Sequence, residues 1–185
     1  MTKDVMAKRL TWMKENVEGA YYARHEHNPN CPQDHVDPTG HCTNSGTCII
    51  VCCYMEGLGK VLNKGKGGKA ENLNEFAKQC MPDFLSQTRA QFDKRGVTFY
   101  GAIRSGLVHG YPTREYKWGR KGLGEYWYQV DGKPTLNIDQ FGAGFIDGVA
   151  RFKHRAEVDT DLRTKFEECI TREPPRRPRG KARRK

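Results

Sequence analysis

No stretch of this 185-residue chain is apolar for long enough to cross a bilayer or to form the core of a secretory leader. Its first ten residues alternate charged and apolar side chains instead, so the expectation is a cytoplasmic protein with no membrane partner. Paired metal-ligand spacings are missing too, since the sequence holds no Cys-x2-Cys and no His-x3-His. The Lys-Gly-Lys-Gly-Gly-Lys run at 64–69 lacks the terminal Lys-Ser/Thr of a P-loop, which leaves a flexible connector as its reading. Seven cysteines are an odd count, and Cys48, Cys52 and Cys53 fall inside an apolar run. Both facts argue against a disulfide framework and fit reduced thiols acting as small hydrophobes. There is no internal repeat.

What is present suits a folded chain: 36% of residues are hydrophobic, 29% are charged, and eight Phe, eight Tyr and three Trp supply core volume. A chain of this length buries about 70% of its unfolded surface on folding. The net charge of +10 looks like a nucleic-acid signal until it is located. Residues 171–185 hold eight Lys or Arg and one Glu, so +7 of it lies in a basic disordered tail and +3 remains for residues 1–170. Such a tail contacts any polyanion without reading sequence, or serves only as a solubilising end.

Met6, Leu10, Met13, Val17 and Tyr21 recur at helical spacing and predict a helix over 3–22. Prolines, Asn and Asp make 24–44 a long Cys/His-rich loop. Ser45 or Thr47 can cap a central helix over 48–62. Leu73, Phe76, Ala77 and Cys80 mark the next helix, and Phe84, Leu85, Thr88 and Phe92 a short one after Pro82. Phe99, Ile103 and Leu107 step by four up to a helix-to-loop junction loosened by Gly106, Gly110 and Pro112. Within a loop-and-hairpin stretch at 114–138, aromatic and branched runs flank Asp131-Gly132, a hairpin signal. Asp139 can cap a helix bearing Phe141, Phe145, Val149 and Phe152; Asp159 or Thr160 can start the last, before Pro174 and Pro175.

The segment 100–111, Tyr-Gly-Ala-Ile-Arg-Ser-Gly-Leu-Val-His-Gly-Tyr, reads as Arg-x4-His-x-Tyr with Arg104, His109 and Tyr111. In a shuffled chain of this composition the Arg-x4-His part is expected about 0.5 times and the full element about 0.02 times. Together with a Glu-Gly-Leu-Gly-Lys run at 56–60 and a Leu-Asn-Ile-Asp run at 136–139, it resembles the HEPN superfamily, helical domains of higher eukaryotes and prokaryotes, across residues 45–170. The fold this resemblance implies is mainly α, an antiparallel HEPN-like helical bundle, here with a small β-hairpin insert.

The function it implies is a metal-independent endoribonuclease, or an RNA-directed module, in bacterial defence or stress. It would need no cofactor, and two copies in a homodimer would bring their Arg and His together. RNA cleavage without metal needs a proton-transfer group and a cation for the charge developing on phosphate, roles that His and Arg fill. Residues five apart lie about 140° around a helix from each other, so a cleft between copies can gather what one stripe cannot. Arg104 is the expected phosphate contact and His109 the general acid/base. Tyr111 matches the position adenylylated in HEPN toxins, which implies an antitoxin protein as a partner. Ser105 stands where active members carry Asn, Asp or His, and a catalytically silent HEPN-like module binding RNA or protein is the alternative. Glu56 is a candidate partner for Arg104.

Two other constellations compete. His25, His27, Cys31, His35, His41 and Cys42 are zinc-competent types at irregular spacings, which opens a zinc-stabilised interaction protein as a further alternative to a polar surface loop. Trp118, Tyr126, Trp127 and Tyr128 interleave with Lys117, Arg120 and Lys121. Packing of that hairpin against the bundle is preferred over a base-stacking surface. His154 is expected alone on a helix surface.

Overall fold

A computed structural model describes residues 3–22, 41–92, 98–101 and 116–171. Helix α1, Lys3–Tyr22, buries Met6, Leu10 and Val17 along one stripe, as their spacing requires. Helix α2 spans His41–Leu62, seven residues longer at its start than the apolar run suggests. It begins directly beyond Gly40 and the last proline of the preceding stretch, where Thr43, Asn44 and Ser45 are weak helix formers without being breakers. Thr47 is fully buried at the seventh position of this helix and is therefore not its N-cap.

The connection to α3, Lys69–Cys80, is a closed turn and no flexible linker. Asn63 N donates to Gly59 O at 2.8 Å, Gly65 N to Lys60 O at 2.8 Å and Lys66 N to Asn63 O at 3.0 Å. Lys64 and Gly65 hold φ of 56° and 79°, the left-handed geometry that ends a helix. Gly68 N donates to Glu71 Oε2 at 2.7 Å, so a carboxylate of the chain itself occupies the α3 N-terminus. That is the place a phosphate would take in a nucleotide-binding loop. Helix α4, Pro82–Phe92, follows after Met81 and buries Phe84, Thr88 and Phe92.

Strands β1 (Lys117–Gly119), β2 (Trp127–Val130) and β3 (Lys133–Asn137) form a sheet of order β1-β3-β2. The expected hairpin is β2 and β3, antiparallel, with Asp131 and Gly132 at φ of 50° and 70° as a two-residue turn demands. It does not stand alone, because β1 pairs with β3 in parallel, Trp118 opposite Leu136. In the same row Leu136 faces Trp127 across the antiparallel ladder, which puts Trp118, Leu136 and Trp127 on one face.

Helix α5, Ile138–Val158, runs through the middle of the fold in contact with α1, α2, α3, β3 and α6, Thr160–Thr171. Phe145 packs on Tyr54 of α2 and Phe76 of α3 at ring distances of 6.0 and 5.8 Å, and Phe152 packs on Phe166 of α6 at 5.5 Å. Asp159 is where α5 ends and α6 begins: its N–H donates to Arg155 O at 2.8 Å, and its Oδ1 accepts from Leu162 N at 2.9 Å. The described residues are thus mainly helical, six helices with a small three-stranded sheet.

Two glycines of the 56–60 run differ in kind. A Cβ on Gly59 would lie 1.7 Å from the backbone oxygen of Asn72, so glycine is what lets α3 cross α2 so closely. A Cβ on Gly57 meets nothing within 4 Å. Gly59→Ala is therefore expected to destabilise the fold by about 3 kcal/mol through forced separation of the two backbones. Gly57→Ala should stabilise it by roughly 0.5–1 kcal/mol through helix propensity. Urea melts of the two variants check this, and shifts of the same sign would refute the close-crossing account.

Candidate functional site

Arg104, Ser105, His109 and Tyr111 lie outside the described residues, as do His25, His27, Cys31 and His35. His41 and Cys42 fall in the first turn of α2. Glu56 is half-buried on α2 and already engaged in a polar contact. His154 is exposed on α5, as expected. Among the described residues no three His, Cys, Asp or Glu side chains cluster as a metal site.

What the structure does define is the chain on either side of the Arg/His segment. It is a short helical turn at 99–101 on one side and Tyr116, next to β1, on the other. Phe99 and Tyr116 are both buried. Both rings touch Phe92 at the end of α4, Phe99 edge-on at 6.3 Å and Tyr116 tilted at 4.7 Å. Phe99 also meets Phe84 at 5.1 Å, Phe141 at 5.9 Å and Trp127 at 6.4 Å. Aromatic pairs of this kind contribute about 0.5–1.5 kcal/mol each beyond burial, so the two ends are firmly held.

Beside Tyr116 a polar network ties the loop between β1 and β2 to the start of α5. Arg120 Nη1 lies 3.2 Å from Asp139 Oδ1, with both side chains largely buried, and Gly122 N donates to Asp139 Oδ2 at 2.8 Å. Asn137 Nδ2 donates to the carbonyls of Gly122 at 2.8 Å and Glu125 at 3.0 Å, and Gly124 N donates to Gln140 Oε1 at 2.9 Å. Asp139 thus sits one residue inside α5, where Asn137 holds the cap position and makes no side-chain capping bond. Its carboxylate is spent on a distant arginine and a loop amide, and the expected capping role is corrected. The Leu-Asn-Ile-Asp run is a staple between loop and helix.

Of the aromatic residues near these cations, Tyr126 and Trp127 are buried and Trp118 is partly buried against the core. Trp127 Nε1 donates to Thr88 Oγ1 of α4 at 3.1 Å, and Tyr126 N to Gln87 Oε1 at 2.9 Å. Packing therefore wins over base stacking for these rings. Tyr128 is half-buried, with Lys121 Nζ 5.4 Å from its ring centroid. Burial, and then the Asp139 carboxylate, push its phenol above the ordinary tyrosine range, so it stays a proton donor at neutral pH. Its hydroxyl and Asn137 Oδ1 are buried atoms without a hydrogen-bond partner among the described residues.

Buried thiols offer no nucleophile. Burial pushes Cys80 up to about 11, and the hydrogen bond that the Cys52 thiol makes to Cys48, followed by burial, raises Cys52 well above the usual thiol range. Lys117 Nζ bonds Asp131 Oδ2 at 2.8 Å at the hairpin tip, holding that exposed carboxyl below its usual range.

No family matches. Neither a family model, nor a curated protein, nor a solved structure is similar to this chain at a significant level. The likeness to HEPN domains rests on its residues alone.

The Arg120–Asp139 pair yields a stability test. Arg120→Met strands a carboxylate that is 7% exposed and should cost about 3 kcal/mol. Adding Asp139→Asn should recover part of that loss, since no uncompensated charge then stays buried. A double-mutant cycle by chemical denaturation reads the coupling, and strictly additive effects would rule out a shared role.

Proposed function

We propose that this protein is a HEPN-type RNA-directed module, a metal-independent endoribonuclease of bacterial defence or stress that works from an antiparallel helical bundle. Arg104 binds the scissile phosphate and His109 transfers the proton, with the two copies of a homodimer forming one cleft. Ser105 and Tyr111 flank the pair as substrate-contacting or regulatory positions, and an antitoxin protein is the partner class that Tyr111 suggests.

The observation that carries this reading is the Arg-x4-His-x-Tyr element itself, on a segment whose two ends are gripped by a single ring, Phe92. Burial of Phe99 and Tyr116 fixes the chain on both sides of the element, and a fixed framework is what positioning a phosphate requires. The largely helical body agrees with the fold that the resemblance implies. Lys121, exposed in the loop between β1 and β2, adds a cation for a polyanionic substrate. Ser105 in place of the usual Asn, Asp or His favours a second reading, a silent module that binds RNA without cutting it.

Labelled RNA incubated with the purified protein and a chelator separates the two. The nuclease reading expects cleavage with cyclic-phosphate ends, reduced about 100-fold or more in His109→Ala. Binding without cleavage supports the silent module. Cleavage that survives in both His109→Ala and Arg104→Ala would remove the pair from any catalytic role.

A further inference from the structure

The end of the molecule formed by the α2–α3 turn and the α5–α6 junction carries an open groove of about 600 Å³. Its size is within the roughly 300–1,000 Å³ of ligand clefts. Val61, Leu62, Val158 and Leu162 give it aliphatic walls, and Lys64 and Arg155 line it from the ends of α2 and α5. Lys60 at the end of α2, Lys66 on the adjoining turn and Lys69 at the start of α3 are exposed.

Three carboxylates here have partners, and so does Lys165, whereas most of the cations do not. Asp159 Oδ1 caps α6 through Leu162 N, Asp161 lies 3.8 Å from Lys165, and Glu71 holds Gly68 N. Lys60, Lys64, Lys66, Lys69 and Arg155, by contrast, form no salt bridge among the described residues. Lys60 and Arg155 also sit in the last turns of α2 and α5, where helix C-termini favour positive charge. Lys60, Lys64, Lys66, Lys69, Arg155 and Lys165, set against the carboxylates of Glu71, Asp159 and Asp161, leave a net positive charge around the groove, which attracts a polyanion.

We propose that this end is a docking surface for the phosphate backbone of single-stranded RNA, built from residues other than Arg104 and His109. The identity of the polyanion rests on the RNA reading above, whereas the anion preference rests on the charges themselves. The glycine-rich turn takes part through its lysine side chains, because Glu71 already fills its backbone amide position. Docking here would hold a strand while another part of it is acted on elsewhere.

The test uses the full chain and a labelled single-stranded oligoribonucleotide, with affinity measured across a salt series. Lys64→Asn, Lys66→Gln and Arg155→Gln are combined, asparagine being chosen because it tolerates the left-handed backbone of position 64. A charge-matched control carries Lys14→Gln, Arg89→Gln and Lys133→Gln at exposed positions, and the basic tail is present in both. The groove variant should bind at least about ten-fold more weakly than the control and lose about 0.7 in salt slope for each phosphate contact removed. Circular dichroism confirms that both remain folded.

Equal affinities and slopes for the two variants would overturn the docking surface, as would a wild type that binds no RNA at low salt. RNA that binds through the groove and is never cleaved would sink the nuclease reading and leave the docking surface standing.

Discussion

Phe92 is the ring on which the sheet end of this molecule depends. It closes α4 and touches Phe99, Tyr116 and Trp127, so one side chain joins a helix, both ends of the Arg/His segment and the border strand β2. Phe84 and Phe141 extend the same cluster to α5 at 5.0 Å. Because edge-on and tilted rings fix each other's orientation as well as their distance, the geometry of the segment's anchors follows from core packing. Whatever residues 102–115 do, they start and finish on this platform.

The two ends of the molecule treat charge in opposite ways. Around the start of α5, Arg120 and Asp139 neutralise each other in a nearly dry setting, and the amides of Asn137 and Gln140 bind loop backbone. That arrangement gives position and rigidity more than affinity, since the pair has little charge left to offer. At the far end of α5 the carboxylates serve as helix caps and the lysines face solvent. Helix α5 joins a set polar framework to a surface rich in free cations.

Much of the helical part was legible because its signal is local. Apolar residues three and four apart announced α1, α3, α4 and α5, and Asp131-Gly132 announced the β2–β3 turn because its geometry needs positive φ. Strand β1 was hidden: its three residues carry no alternation of their own and exist through parallel pairing with a strand that comes after the hairpin turn. Asp139 read as a cap because capping rules look only a few residues ahead, whereas its real partner is 19 residues earlier. Gly59 looked like its neighbour Gly57, and only the crossing of Asn72 distinguishes them. Of the candidate site, the sequence offered the residue types, Glu56 alone among them has a described side chain, and the anchoring role of Phe92 needed long-range contacts that no spacing announces.

The strand order places the best-formed strand, β3, in the centre and leaves β1 and β2 as the borders. These borders are three and four residues long, and each offers a foreign strand too few backbone groups to hold on to. Ribbon-to-ribbon association through this sheet is thereby blunted. Among the described residues the helix exteriors, unlike the sheet borders, present side chains, which can discriminate one neighbour from another where backbone amides cannot.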